Sequence, residues 1–269
     1  MTKLGIIAGT GLLPITIAET FHNTVKKEEL FVVALQNYAN IEDFECSNAV
    51  SFNVGNIGKI LKYFKTNKVK NLVIAGALKR PNLTDLSVDM QGAMLLTKLL
   101  AKKILGDDAL LKIIADFIES HGFTITSPLD YIKSSNTVIN TEKIPNKQNL
   151  QDIEYGIITG RKLGELDIGQ SVIIENGLVL GVEAAEGTDA LIERCSIYKK
   201  TEHTAVLVKM IKPNQDTRLD IPVIGVDTIL NAAKAKMAGI AIQKDNVIVL
   251  EAKKVIDTAN SLGLFVYLF

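Results

Sequence analysis

Between Lys209 and Pro222 the chain reads Lys-Met-Ile-Lys-Pro-Asn-Gln-Asp-Thr-Arg-Leu-Asp-Ile-Pro, which packs Lys209, Lys212, Arg218, Asp216 and Asp220 into one short segment. Chemistry on a phosphoric anhydride needs cations around the phosphoryl oxygens and a hard oxygen ligand for Mg²⁺, and these residue types supply both. Asp216, Arg218 and Asp220 alternate. An extended backbone would put their side chains on one face, converging two carboxylates and a guanidinium on one point. A solvated loop with internal ion pairs is the bland alternative, because exposed pairs are common and contribute little.

Other segments offer weaker chemistry. Gly9-Thr10-Gly11 follows an apolar run and opens a helical pattern, where free backbone amides and the helix dipole favour an anion. A full dinucleotide fingerprint would need glycine at position 14, where Pro14 stands, and a carboxylate after the second strand, where Gln36 and Asn37 follow Leu35. An NAD-linked enzyme is disfavoured. A tight turn that binds nothing and a phosphate or sugar-nucleotide contact both stay open. Gly106-Asp107-Asp108 reads as a helix start capped by Asp107. Glu186-Gly187-Thr188-Asp189-Ala190 enters a helix from a hairpin and serves equally well as a cap or as a set of polar groups at a loop tip. His22, His121 and His203 lack ligand spacing, and His121 fits a structural place at a helix end beside Gly122. The chain has no Gly-x-Ser-x-Gly elbow, Walker loop or His-Glu-x-x-His.

Elements that would position these residues alternate between strand and helix. Leu4 to Ala8, Leu30 to Leu35 and Asn71 to Ala75 read as strands, and Leu12 to His22 and Ile57 to Phe64 as helices. Helices near Met90 to Leu105 and Asp108 to His121 close this half. Strand, crossover helix and strand in repetition mean a parallel sheet covered on both faces. Leu12, Leu13, Leu95, Leu96, Leu99 and Leu100 are assigned to the core by default. The polar run 133–150 reads as a linker. It separates a domain at 1–132 from one at 151–269.

The second half is α/β as well. Its reading has a helix from about Asp152 to Leu163, a hairpin around Glu175-Asn176-Gly177, and helices at Thr188 to Cys195, Thr228 to Ala238 and Ala252 to Ser261. Strands are expected at Ala205 to Lys209, Val223 to Val226, Ile240 to Ile242, Val247 to Leu250 and Leu264 to Leu268.

Composition narrows the function classes. The 269 residues carry 30 basic and 30 acidic side chains, so the global attraction behind non-specific nucleic-acid binding is missing. Hydrophobic residues at 47% can bury sizeable cores. Cys46 and Cys195 can build neither a disulfide framework nor a Cys-rich zinc site, which fits a reducing cytoplasm. No window reaches the ~18 continuous apolar residues of a spanning helix. Any membrane contact is expected to be peripheral.

Several collinear blocks resemble one bacterial family over essentially the whole chain. They are LGIIAGTGLLP at the start, IAGALKRPN at 74–82, GDDALLKIIADFIESHGF at 106–123, LDIGQSVIIENGLVLGVEAAEGTDAL at 166–191, KMIKPNQDTRLDIPVIGVDT at 209–228 and the closing SLGLFVYLF. The family is the LpxI-type UDP-2,3-diacylglucosamine pyrophosphatase of lipid A synthesis. What the resemblance implies is hydrolysis of UDP-2,3-diacylglucosamine to UMP and 2,3-diacylglucosamine 1-phosphate (lipid X), by water attacking the α-phosphorus with Mg²⁺ or another divalent cation assisting. It also implies a Rossmann-like N-terminal domain, a C-terminal α/β domain, and a ligand cleft between them.

The aspartate essential in the family's Asp-x-Pro block falls on Asp220, taken here as catalytic and as the metal ligand. Arg218 and Asp216 join it as candidate catalytic residues. Gly9, Gly11, Lys209, Lys212, Gln215, Glu186, Thr188 and Asp189 form the candidate substrate-binding set. The expected partner is the lipid-linked UDP-sugar, with peripheral membrane contact through it and no nucleic acid. A homodimer is left open. The alternative class is a non-catalytic sugar-nucleotide or lipid carrier, which Asp220 argues against, because binding a diphosphate gains little from a carboxylate unless a metal is present.

Overall fold

In the computed structural model, the residues described are 3–24, 29–78, 87–101, 106–132, 139–213 and 215–269. The end of the 74–82 block, the last turn expected up to Leu105, the first part of the 133–150 run and Asn214 lie outside them. The chain divides into two compact units, one made of Met1–Lys133 with Asp216–Asp220, the other of Ser134–Gln215 with Ile221–Phe269.

The first unit runs β1 (Leu4–Ala8), α1 (Leu12–Thr24), β2 (Leu30–Leu35), β3 (Asn48–Phe52), α2 (Ile57–Thr66), β4 (Asn71–Ala75), α3 (Met90–Leu100), α4 (Asp107–Glu119) and β5 (Thr124–Ile125). The five strands form one sheet in the order β3-β2-β1-β4-β5, parallel throughout. Period-two alternation sends Phe31, Val33 and Leu35 to one face with Phe64, Leu72, Phe117 and Ile118. Leu30, Val32 and Ala34 go to the other, with Leu4, Ile6, Ile17 and Ala18. Both faces are buried, as a parallel sheet requires. The expected α4 cap shifts by one residue, since Gly106 occupies the cap position and Asp107 is the first helical residue. Of the leucines assigned to the core, Leu95 is buried, but Leu12 and Leu100 are 49% and 62% exposed.

The second unit runs α5 (Lys147–Glu165), β6 (Ser171–Glu175), β7 (Leu178–Val182), α6 (Thr188–Ser196), β8 (Val206–Lys209), β9 (Val223–Ile224), α7 (Val226–Lys234), β10 (Gly239–Ile242), β11 (Ile248–Val249), α8 (Ala252–Ser261) and β12 (Phe265–Leu268). Its main sheet has the order β12-β10-β8-β6-β7. β8, β10 and β12 are parallel, while β6 runs antiparallel to β8 and β7. One face packs on α6, α7 and α8 through Leu191, Ile229 and Val255, the other on α5 through Ile153.

α5 begins at Lys147 rather than near Asp152. Asn146 starts it with a reciprocal cap, its Oδ1 accepting from the Asn149 amide at 2.9 Å while Asn149 Oδ1 accepts from the Asn146 amide at 3.1 Å. Only the end of the run read as a linker, from Asn146 on, is therefore a helix start. β9 stops at Ile224, and Val226 opens α7 instead of ending a strand.

Candidate functional site

The Gly9-Thr10-Gly11 loop leaves β1 where the strand order turns from β2 on one side to β4 on the other, the position at which open α/β sheets form a ligand crevice. Its amides are not all available, however. Gly9 N donates to Ala75 O at 2.8 Å and Thr10 N to Ala77 O at 3.0 Å, and Ala77 N returns a bond to Thr10 O at 3.1 Å. These bonds zip the loops after β1 and β4 together, so of the amides expected to meet an anion only those from Gly11 onward are uncommitted to this zipper. A Cβ at Gly9 would stand 2.8 Å from Ala77 O, and Gly11 has φ +94°. Close approach explains the first glycine and backbone conformation the second.

Residues 216–220 form a turn, not the extended strand that the alternation of Asp216, Arg218 and Asp220 suggested. Leu219 N and Asp220 N both donate to Asp216 O, at 2.9 and 3.3 Å. Asp216 Oδ1 also accepts from Arg218 N at 3.0 Å, the local side-chain capture that makes Asp a turn former. Arg218 and Asp216 are brought together, with Arg218 Nη2 at 2.7 Å from Asp216 Oδ2 and its Nε at 3.0 Å from Oδ1. The Arg218 guanidinium holds the Asp216 carboxyl below its ordinary range, against an opposing push from burial. Asp220 ends the turn and is partly buried.

In the second unit, Lys209 closes β8 with its side chain buried. Its Nζ donates to Thr188 Oγ1 at 2.6 Å and stands 4.0 Å from Glu183 Oε2. Thr188, the first residue of α6, donates in turn to Glu183 Oε1 at 3.0 Å. Sequence reasoning named Lys209 and Thr188 but missed Glu183. Its place one residue beyond β7 and close to the α6 start was the available signal.

Lys212, also buried, pairs with Asp167 at 2.6 Å, and its amide donates to Gln215 Oε1 at 3.1 Å. Glu186 binds Arg194 at 2.6 Å, and that guanidinium keeps its carboxyl below the usual value. Asp189 is exposed in the first turn of α6, where its charge complements the helix dipole. His121 serves structure, donating from Nδ1 to Phe117 O at 2.8 Å with Gln91 Oε1 3.2 Å from Nε2.

Among the described residues, no group of three or more His, Cys, Asp or Glu side chains comes together to hold a metal ion. Mg²⁺ is usually held by one or two carboxylates together with substrate phosphates and water. The donor set therefore fits a cation shared with a bound diphosphate, not a protein cage. Asp216 pairs with Arg218, and Asp220 is the second carboxylate of this segment.

Residues 3–135 match the LpxI N-terminal domain and residues 136–267 the LpxI C-terminal domain. The UDP-2,3-diacylglucosamine pyrophosphatase LpxI of Caulobacter vibrioides is 35% identical over 274 residues, covering 99% of this chain and 97% of that protein. Among solved structures, the CobK precorrin-6A reductase aligns over 100% of this chain and 87% of its own, at 10% identity and a TM-score of 0.34. A likeness that low carries no argument.

Proposed function

The chain belongs to the LpxI family, and from that premise we propose that it hydrolyses UDP-2,3-diacylglucosamine to 2,3-diacylglucosamine 1-phosphate and UMP, a step of lipid A synthesis. The observation that carries the reading is the match of both domains together with full-length identity to a pyrophosphatase. Water forms a bond to the α-phosphorus, and the bond from that phosphorus to the bridging oxygen breaks. The departing electron pair leaves on the sugar 1-phosphate. UMP keeps the new oxygen.

Asp220 is the carboxylate assigned to this step. It orients the attacking water and takes up its proton, and it is the residue that would hold Mg²⁺. When bound, the cation neutralises charge on the diphosphate, where most of the stabilisation in such transfers lies. Asp216 and Arg218 build the turn that presents Asp220. Gly9, Gly11, Lys209, Lys212, Gln215, Glu186, Thr188 and Asp189 are kept as substrate-binding proposals, each testable through KM.

No helix among the described residues is long and apolar enough to cross a membrane. We place the protein in the cytoplasm, meeting the bilayer through the acyl chains of its substrate. Hydrolysis in heavy-oxygen water tests the chemistry. Label in UMP is expected, whereas label in the sugar phosphate would move the attack to the other phosphorus. Binding without any UMP release would favour a carrier.

A further inference from the structure

The block Gly106 to Phe123 takes no part in the reaction as just described, yet one of its residues reaches the turn before Asp220. Glu119 ends α4, and its Oε1 accepts from Arg218 Nη1 at 3.0 Å and from the Ile125 amide at 3.2 Å. Thr217 O accepts from Ser127 Oγ at 2.9 Å. Leu219 is buried in the core that contains Phe117, Ile118 and Ile125. Successive residues 217, 218 and 219 are thus each fastened to the end of α4 or to the residues in and after β5.

We infer that Glu119 is a positioning residue for the proposed reaction, acting through Arg218 to fix the turn that carries Asp220. This rests on the functional reading above only for what the turn is used for. The charges favour the assignment. Arg218 donates to two carboxylates, Asp216 and Glu119, and the neighbouring cation that acts on Asp216 is Lys112. These four groups sum to zero, so the cluster offers a diphosphate no net attraction. Its guanidinium is spent on the carboxylates of Asp216 and Glu119. Arg218 and Glu119 keep 41% and 31% of their side-chain surface exposed, and pairs so placed contribute little to global stability. The purpose of the contact lies in geometry, where a small misplacement of a reacting group lowers turnover steeply.

Glu119→Gln, studied by amide hydrogen exchange and by kinetics, tests this. Exchange at Leu219 and Asp220, whose amides close the turn on Asp216 O, is expected to quicken about tenfold with the melting temperature nearly unchanged. The value of kcat is expected to fall about tenfold while KM moves less than about threefold. Arg218→Gln added to Glu119→Gln should deepen the kcat loss little, since the two act as one unit. Unchanged exchange would overturn the clamp whether or not the chain hydrolyses anything. Faster exchange with normal kcat, a fall in kcat matched by a rise in KM, or additive losses would overturn the positioning role. A wild type that never releases UMP would instead remove the functional reading, and the exchange arm would still decide the clamp.

Discussion

Lys209 Nζ stands 2.6 Å from Thr188 Oγ1, and the same hydroxyl donates to Glu183 Oε1 at 3.0 Å. The direction of these bonds is fixed by chemistry. An ammonium only donates and a carboxylate only accepts, so the hydroxyl takes a proton contact from the lysine and passes its own to the glutamate. It bridges an ammonium and a carboxylate that lie 4.0 Å apart with 6% and 12% of their side-chain surface exposed.

Thr188→Val keeps the shape and removes the bridge, leaving a buried donor and a buried acceptor one partner short. The expected cost is about 1–3 kcal/mol, read as a fall of roughly 2–4 °C in melting temperature per kcal/mol for a chain of this size class. Thr188→Ser should retain most of the stability. Equal melting temperatures for the two variants would show that the hydroxyl is not a structural bridge.

The zipped loops after β1 and β4 predict a ranking of glycine replacements. Gly76 has φ +90°, and a Cβ there would stand 2.6 Å from Thr10 O, whereas Gly11 has φ +94° with nothing within 4 Å. Both alanine variants pay the conformational cost of about 1–2 kcal/mol. Only Gly76→Ala adds a backbone clash. Urea unfolding should therefore find Gly76→Ala the less stable of the two, and the reverse order would deny the close contact between these loops.

Acid should unfold the protein through identifiable carboxylates. Burial pushes the Glu175 carboxyl up, but bonds from the Lys200 amide, the Thr204 hydroxyl and the Thr201 amide outweigh it and hold the group below its ordinary value. Asp216 is held low by Arg218. A depressed folded-state value means the stabilisation is complete above the unfolded value, about pH 4, and is lost as pH falls through the folded one. Glu175→Gln should be less stable than wild type at neutral pH and lose less on acidification. Parallel stability curves below about pH 4 would contradict this.

Much of the scaffold was legible because buried parallel strands announce themselves. β1, β2 and β4 are apolar runs, and their limits agree with the sequence reading. β3, Asn-Ala-Val-Ser-Phe, went unread because it is an edge strand without the apolar run of its buried neighbours. β5 is only two residues long, too short for any period. The 216–220 segment misled for a different reason. Its alternation suggested a strand, while Asp216 captures the Arg218 amide and folds the backbone back. The clamp from Glu119 was invisible, since 99 positions separate it from Arg218 and no local rule links them.

Turnover should require a divalent cation. Among the described residues, no group of oxygen ligands is large enough to cage an ion, so the cation is expected to bind weakly in the absence of substrate and to be removed readily by EDTA. Mg²⁺ should restore activity to the chelated protein. Full UMP release in excess chelator would sink the metal role.

The assignment of the chemistry to Asp220 is tested by UMP release from UDP-2,3-diacylglucosamine by wild type, Asp220→Ala and Asp220→Asn. Interactions made mainly in the transition state appear in kcat and not in binding. Both variants should bind the lipid-linked substrate about as well as wild type, keep its melting temperature, and turn over at least about a hundredfold more slowly, a loss near 2.7 kcal/mol. A folded Asp220→Ala that retains more than about a tenth of wild-type kcat, under ~1.4 kcal/mol, would contradict the assignment and shift attention to Asp216 or Asp189.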